Sequence, residues 1–301
     1  MFVKIKGNRE VNYRPVAYIK DGKDDGQFIY LNPIASTTYN YDSDVDHDDS
    51  EEEEIKTKKK EKSKVKTKKK KLDLLKEHHK KKKKETSVDV FNNLKLEGKS
   101  HFLLFPLLDT RCNIALFGSS GSGKSFTASQ YVKLYKKIFP SNHFYLVSEL
   151  DHDDCLDKYE PIRVPISKQL ITHQVEWDKL EPGIFMFDDI DNIHDPKLRS
   201  ATYNLRKECL NKGRHFGIHT ISTNHALKSG NETRDIIRES HAVFFFPSYN
   251  DKSKIKKFLA EECGISKDYI KKIMSCNSRW ICVWRHAPMF CLTENEIFSL
   301  C

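Results

Sequence analysis

Apolar residues along the middle of this chain follow two alternating patterns. Short apolar runs of three to seven residues are typical of strands buried on both faces of a sheet. Between them, apolar residues recur every three or four positions, as in amphipathic helices. Strands that alternate with helices predict an α/β domain built on a parallel sheet. The predicted strands are 102–108, 113–117, 143–148, 162–164, 184–187, 217–223 and 242–246.

The helices predicted between these strands end close to residues that disfavour helix. The first follows residue 123 and ends before Pro140, and the second covers 168–180, before a Pro-Gly pair. A longer helix is expected over 196–211, and a short one over 235–238. These helices supply the crossovers that join parallel strands.

The two ends of the chain have different patterns. Residues 16–19 and 27–31 flank a turn rich in Asp and Gly, which predicts a hairpin in a small N-terminal β unit. This unit is too small to bury a core alone, so we expect it to pack on the main domain. The tail, 248–301, is expected to hold two short helices and a hairpin with strands at 279–284 and 289–292.

Charge is concentrated in one segment near the N-terminal end. Residues 42–54 hold nine acids, and residues 56–84 hold seventeen lysines and three acids, within a chain of net charge +9. Because 38–87 contains few apolar residues, we expect it to be disordered. Three interpretations stay open: nonspecific nucleic-acid binding, a nuclear localisation patch, and a solvated linker whose acidic and basic halves partly neutralise each other.

The cysteines and the longest apolar runs exclude some classes of protein. The eight cysteines form no C-x-x-C pair and have no regular spacing, which favours the reduced thiols of a cytosolic protein. His215, His219 and His225 lack the neighbours that would complete a metal site. We recognise no signal peptide, and runs such as 102–108 are too short to span a bilayer.

The most specific motif follows the predicted strand 113–117. It matches the phosphate-binding loop, or Walker A pattern, G-x-x-x-x-G-K-[ST], in the strand–loop–helix setting that the motif needs. Glycines let backbone N–H groups point at phosphate oxygens, and the helix N-terminus favours their negative charge. We expect Lys124 to reach the β- and γ-phosphates and Ser125 to bind Mg²⁺. The alternative is an ordinary Gly/Ser-rich turn. The nucleotide-binding residues are Gly118, Ser119, Ser120, Gly121, Ser122, Gly123, Lys124 and Ser125.

Two adjacent acids end the predicted strand 184–187. An acid at the end of a buried strand beside a phosphate loop is a Walker B position, where a carboxylate organises Mg²⁺. We expect Asp188 to hold the metal and Asp189 to orient and deprotonate the attacking water. A pair of acids favours hydrolysis over phosphoryl transfer to another substrate. The alternative is a polar strand end in a loop that is acidic in any case, as Asp191 indicates.

Two further residues are candidates for catalytic roles. Asn224 ends the next predicted strand, where a polar side chain can sense the γ-phosphate; Thr223 is second, and the alternative is a helix cap. Phosphoryl transfer also gains from a cation that a neighbouring subunit supplies. Of the arginines near the presumed subunit edge (206, 214, 234 and 238) we choose Arg214. A surface salt bridge is the alternative.

Taken in order, these motifs resemble those of a known family. Gly118–Ser125, Phe187–Asp189, Asn211–His219 and the terminal Ser278–Trp280 stretch with Pro288 are similar to the genome-packaging ATPases of large DNA viruses. Those are the poxvirus-type members of the FtsK–HerA superfamily. The resemblance covers about residues 95–300. The phosphate loop is common to many NTPases, whereas the Gly-Arg-His and Arg-Trp stretches are more discriminating.

The resemblance implies a fold, an activity and partners. It implies a RecA-like motor domain, assembled as a ring of identical subunits, that pumps double-stranded DNA into a capsid by hydrolysing ATP with Mg²⁺. A capsid or portal protein would be a further partner. The implied location is the host cytoplasm, at the viral factory, or the nucleus, with association with the virion. Members of the superfamily often carry Gln where this chain has Asn224, and the lysine-rich segment is not a feature of the family's core.

These features divide the chain into four segments. They are a small β unit (1–37), the charged segment (38–87), a P-loop ATPase domain (88–247), and C-terminal helices with a hairpin packed on that domain (248–301). Two other functions stay open. A P-loop helicase or AAA-type remodelling ATPase would normally bring helicase motifs or a larger helical lid. A regulatory protein that binds nucleotide without hydrolysing it would not need the acid pair.

Overall fold

The computed structural model describes residues 2–6, 13–31, 87–108, 110–172, 175–225, 227 and 231–300. Its strands form two sheets. The smaller sheet has the order β4-β1-β3-β2-β6, and all its neighbouring strands are antiparallel. Its strands are β1 (Phe2–Lys6), β2 (Arg14–Lys20), β3 (Phe28–Leu31), β4 (Ser87–Phe91) and β6 (His101–Leu104).

The larger sheet has ten strands in the order β5-β15-β14-β13-β12-β7-β11-β10-β8-β9. The six strands from β12 to β9 are parallel, and the other four are added antiparallel beside β12. The strands are β5 (Asn93–Lys95), β7 (Asn113–Phe117), β8 (His143–Ser148), β9 (Ile162–Arg163), β10 (Gly183–Asp188), β11 (Ile218–Asn224), β12 (Ala242–Phe245), β13 (Ile281–Trp284), β14 (Phe290–Thr293) and β15 (Glu296–Ser299).

Helices cover both faces of the larger sheet. In chain order they are α1 (Lys124–Ile138), α2 (Gln169–Thr172), α3 (Pro196–Phe216), α4 (Asn231–Glu239), α5 (Lys252–Glu261) and α6 (Lys267–Ser275), with short 3₁₀ turns at Asp157–Tyr159, Trp177–Lys179 and Ile190–Asn192. No helix in the described ranges is long and apolar enough to cross a membrane.

Alternate residues of the buried strands face two different cores. Ile114 and Leu116 of β7 pack with α1 and with apolar residues of the smaller sheet. Ala115 and Phe117, one residue further along, pack with apolar residues of α4, α5 and α6. This alternation follows from the period of two in a strand. The larger sheet therefore lies between α1 and the smaller sheet on one face and the other long helices on the opposite face.

This architecture confirms the predicted fold class. The chain has an α/β P-loop NTPase fold with a mostly parallel central sheet and a small antiparallel sheet built on the N-terminal strands. The predicted hairpin of the tail is also present, as β13 and β14. The structure adds that β13 pairs with β12, so the tail continues the central sheet.

Three expectations about elements and boundaries need correction. The helix predicted over 168–180 is wrong, because among the described residues of that range only 169–172 are α-helical and 177–179 form a 3₁₀ turn. The strand predicted over 102–108 ends at Leu104 and joins the smaller sheet, as does 87–91. Residue 87 thus lies in a strand, and the expected disorder of 38–86 concerns residues outside the described ranges. The division into four segments stays a prediction.

Candidate nucleotide-binding site

The phosphate loop connects the buried strand β7 to α1, which begins at Lys124. Gly121 and Gly123 have φ angles of 75° and 96°, a region that side chains with a Cβ rarely occupy. At Gly118 the restriction is space, since an added Cβ would lie 2.5 Å from Ser122 Oγ and 3.0 Å from Phe246 Cδ2. The three glycines therefore give the loop a tight curl against the end of β12.

Lys124 is buried inside this curl, with only 4% of its surface exposed. Its Nζ donates to the carbonyl oxygen of Ser119 at 3.3 Å and lies 3.4 Å from Asp189 Oδ1. A buried ammonium needs such partners, because an uncompensated charge is costly away from water. The loop, Lys124 and the acid pair therefore form one site.

The acid pair reaches the loop because of the strand order. β11 lies between β7 and β10 in the parallel sheet, so the carboxyl ends of all three strands meet at one edge. Asp188 is the last residue of β10, and Asp189 follows it with φ of 47°, which is uncommon for a residue with a Cβ. That turn of the backbone brings the Asp189 carboxylate to Lys124.

Thr223 of β11 connects the two acids. Its Oγ1 donates to Asp188 Oδ1 at 2.9 Å and accepts a hydrogen bond from the Asp189 backbone N–H at 2.8 Å. Sequence reasoning gave Thr223 only as an alternative phosphate sensor. In the structure it holds the acid pair in place.

Asp188 is almost fully buried, and this changes its acidity. Burial raises the pKa of the Asp188 carboxyl to about 6, and the charge of Asp189 contributes to the rise. The hydrogen bond from Thr223 and the charge of Lys124 oppose the rise. A divalent cation beside the two acids would offset their repulsion, so their arrangement fits a metal-binding role.

Asn224 lies where the sequence predicted it, at the carboxyl end of β11. Its carbonyl oxygen accepts a hydrogen bond from the Gly118 N–H at 3.0 Å, which ties it to the start of the loop. Its side-chain amide donates to the Ser222 carbonyl at 3.2 Å, and its Oδ1 accepts from Arg206 Nη1 at 3.4 Å. Arg206 is itself buried and stacks on Tyr203. The role of Asn224 as a γ-phosphate sensor stays a prediction.

Arg206 and His225 are two neighbours of the site that the sequence analysis did not place there. Arg206 was considered only as a subunit-edge cation, but it is buried against Asn224. The sequence analysis found no complete metal site at His225, whose Nε2 lies 3.5 Å from Asp189 Oδ2 and 3.0 Å from Asn192 Nδ2. Its place in the chain, directly after Asn224, was the available signal.

Arg214 does not join the site within one chain. It is exposed near the C-terminal end of α3, which runs back from the edge of the phosphate loop to the edge where β11 begins. Its Nε donates to His215 Nε2 at 3.2 Å. Arg214 can therefore approach a phosphate loop only on another subunit, and such a role stays a prediction.

The residues present fit a nucleoside triphosphate with Mg²⁺. In the curl, Ser122 Oγ is buried and has no hydrogen-bond partner among the described residues, as expected of a polar atom in a cradle for phosphate. Ser125 and Asp188 would hold Mg²⁺. The described residues contain no group of three or more His, Cys, Asp or Glu that could hold a metal ion. Mg²⁺ commonly binds through one or two protein oxygens together with substrate phosphates.

This chain is similar to known proteins both in sequence and in structure. No family model matches the chain. Among solved structures, it is similar to the genome packaging NTPase B204 of Sulfolobus turreted icosahedral virus 2, with 14% identity, 62% of this chain and 96% of that chain covered, and a TM-score of 0.41. It is also similar to the conjugation coupling protein TcpA of pCW3, with 11% identity, coverage of 69% and 66%, and a TM-score of 0.44.

The sequence comparison shows a closer relationship. The chain is 35% identical over 206 residues to the uncharacterized protein V3 of the Sputnik virophage, a match that covers 68% of this chain and 82% of that protein. On this identity and coverage, the chain belongs to the family of the Sputnik virophage protein V3.

Proposed function

We propose that this protein is an ATP-hydrolysing motor that moves double-stranded viral DNA into a capsid. The observation that supports hydrolysis is the contact, inside one curl of backbone, between the Lys124 ammonium and an acid pair ordered by Thr223. The DNA and the capsid are supported by the resemblance of the motifs to genome-packaging ATPases. A ring of identical subunits belongs to the same proposal, with Arg214 acting on the neighbouring subunit.

Each side chain at the site has a distinct role in this proposal. Lys124 binds the β- and γ-phosphates, Ser125 and Asp188 hold Mg²⁺, and Asp189 orients and deprotonates the attacking water. Bound Mg²⁺ would neutralise charge on the phosphate oxygens. Lys124 and Asp189 lie 3.4 Å apart and compensate each other.

The same contact suggests how substrate binding prepares the base. A phosphate that takes the Lys124 ammonium as its partner leaves the Asp189 carboxylate free to accept a proton from water. His225 also lies at this carboxylate, with its Nε2 3.5 Å from Asp189 Oδ2. In this proposal Asn224, which contacts Gly118 and Arg206, senses the γ-phosphate at the carboxyl end of β11.

The first prediction tests this function through ATPase activity with and without long duplex DNA. We expect duplex DNA to stimulate hydrolysis and Lys124→Ala to lower the rate at least about a hundredfold, because the mutation removes the phosphate-binding cation. Lys133→Ala, on the exposed face of the same helix, is the matched control and should keep wild-type activity. The mass of the complex with ATP and DNA should be that of a closed ring.

Other outcomes would identify the alternatives. Stimulation by single strands alone would favour a helicase, and hydrolysis that no DNA affects would favour a remodelling ATPase with a protein substrate. Nucleotide binding without hydrolysis in the wild type would contradict the assignment of Asp188 and Asp189. For the compartment, we propose the host cytoplasm or nucleus, with a fraction in the virion.

A further inference from the structure

A groove beside the phosphate loop has no role in the proposal so far. It encloses about 130 Å³ between the first turns of α1, the end of β12, the chain just before β13, and strands β2 and β6 of the smaller sheet. Its walls include Phe126, Thr127, Phe244, Arg279, Trp280 and Glu294. Phe126 and Thr127 directly follow Ser125, so the groove begins where the phosphate site ends.

The strand order determines which end of a nucleotide faces this groove. The phosphate-loop strand β7 has β11 on one side and β12 on the other. Lys124 and the acid pair mark the β11 side as the place of the terminal phosphate. The rest of a nucleotide must therefore leave the loop on the β12 side, where Phe244, Arg279 and Trp280 lie.

Flat groups line part of the groove, whose other walls include the polar side chains of Lys20 and His101. Phe126 is 47% exposed although it is a large apolar side chain in the first turn of α1. Trp280 packs on Phe244 with ring centroids 5.3 Å apart. Aromatic rings and guanidinium planes are the groups on which nucleobases stack, and such stacking tolerates different bases.

Arg279 is held in place although its side chain is 76% exposed. Its Nε donates to Glu294 Oε1 at 2.6 Å, and its backbone N–H donates to Glu294 Oε2 at 2.9 Å. The Ser278 hydroxyl, 3.3 Å from Oε2, also donates to this carboxylate. A guanidinium oriented before binding loses less entropy when it stacks on a ligand.

We infer that this groove binds the base of the nucleotide whose phosphates occupy Gly118–Ser125, with Phe126 and Arg279 as its stacking partners. The inference rests on the proposed nucleotide site and adds the part that recognises the nucleoside. Glu294 acts as a positioning residue, because it holds Arg279. The Arg-Trp stretch, which the sequence analysis singled out without a role, thereby acquires one.

The second prediction compares two ligands that differ only in the nucleoside. Calorimetry in the presence of Mg²⁺ measures the affinities for ADP and for pyrophosphate. We expect Phe126→Ala and Arg279→Ala each to weaken the affinity for ADP at least about fivefold, because each variant loses one stacking partner. The affinity for pyrophosphate should stay within twofold of wild type. Arg279→Lys keeps the charge but not the plane, so it should show the same selective loss for ADP.

Controls separate this inference from the proposed function. Lys124→Ala should weaken the binding of both ligands. Ile162→Ala and Lys256→Ala change exposed residues at the far edge of the sheet and on α5, so they should weaken the binding of neither ligand. Equal effects of the groove variants on both ligands, or no effect on either, would overturn the inference while leaving the phosphate site intact. Failure of the wild type to bind either ligand would overturn the proposed function itself.

A fluorescence measurement gives an independent readout. Trp280 lines the groove, so ADP should change the tryptophan emission and pyrophosphate should not. In Trp280→Phe, ADP should still bind but the change in emission should disappear. An equal change with pyrophosphate in the wild type would contradict a base in the groove.

Discussion

The hydrogen bonds of Thr223 hold the acid pair in place, at a position that disfavours the charged form of Asp188. A carboxylate with a pKa of about 6 is charged at neutral pH, although its buried surroundings favour the protonated form. Functional sites commonly contain such groups, because a position that suits a bound cation does not suit the free protein. At the residue scale, this site therefore exchanges some stability for metal binding.

The third prediction follows from the sign of that shift. Because the folded pKa of Asp188 lies above its unfolded value of 3.8, the folded protein holds a proton on this carboxyl more tightly than the unfolded chain does. The stabilisation that this protonation provides is fully present below about pH 4 and is lost as pH rises through 6. Asp188→Asn should therefore raise the free energy of unfolding at pH 8 by about 1 to 3 kcal/mol, with a smaller gain at pH 4.5, and should abolish hydrolysis. Urea unfolding without nucleotide or Mg²⁺ measures this, and an equal gain at both pH values would contradict it.

At the element scale, a histidine connects three strands at the edge opposite the phosphate loop. His241, just before β12, accepts a hydrogen bond from the Asn113 N–H of β7 at its Nδ1, 3.0 Å away. Its carbonyl oxygen accepts from the Arg285 N–H, just after β13, at 2.8 Å. Burial lowers the pKa of His241 to about 3, and His286, Arg111 and Arg14 add to this effect. The ring is therefore neutral in the folded protein.

The fourth prediction is that this connection fails in acid. Since the folded pKa of His241 is below its unfolded value of 6.5, its contribution to stability is present above pH 6.5 and is lost as pH falls towards 3. The loss approaches about 1.4 kcal/mol per pH unit within that range. His241→Gln keeps an acceptor for Asn113 but cannot titrate, so its unfolding free energy should fall less steeply from pH 6.5 to 4.5. Parallel pH profiles of the two proteins would contradict the assignment.

The segment 168–180 shows where helical periodicity misled the sequence analysis. Ile171, Thr172 and Val175 are β-branched, which lowers helix propensity. Trp177 Nε1 donates to Glu208 Oε2 at 3.0 Å, and its ring lies 5.6 Å from that of Phe216. Both partners belong to α3. Contacts with another helix therefore decide the conformation of this segment, and a local pattern does not contain them.

At the scale of the whole molecule, the smaller sheet joins distant parts of the chain. β1 pairs with β3 on one side and with β4 on the other. Residues 32–86, which include nearly all of the charged segment, therefore connect two strands of the same sheet. Leu31 and Ser87 are two strand spacings apart across the sheet and face opposite ends of β1, so roughly 16 Å separates them, and a much shorter connection could join them.

The fifth prediction uses this geometry. Deleting residues 42–84 leaves twelve residues between Leu31 and Ser87, enough to span about 40 Å when extended. Because the deleted residues are mostly charged, we expect the melting temperature and basal ATPase activity to remain within experimental error. A loss of DNA stimulation alone would assign DNA binding to the lysines. Failure of the deletion variant to fold would contradict the expected disorder of this segment.

The sequence alone determined the site's chemical components. The loop Gly118–Ser125 and the acids at the end of β10 are local patterns, and neighbouring residues encode a strand, a tight turn and a helix through short-range sterics and hydrogen bonds. The α/β fold class followed for the same reason, since alternating strands and helices have few stable arrangements.

Only the tertiary structure decided how these components meet. The contact of Lys124 with Asp189, the bridging role of Thr223 and the burial of Arg206 against Asn224 depend on β11 lying between β7 and β10. The groove at Arg279 depends on the tail returning to pair with β12. Strand order and register are set by packing between residues far apart in the chain, which no local pattern contains.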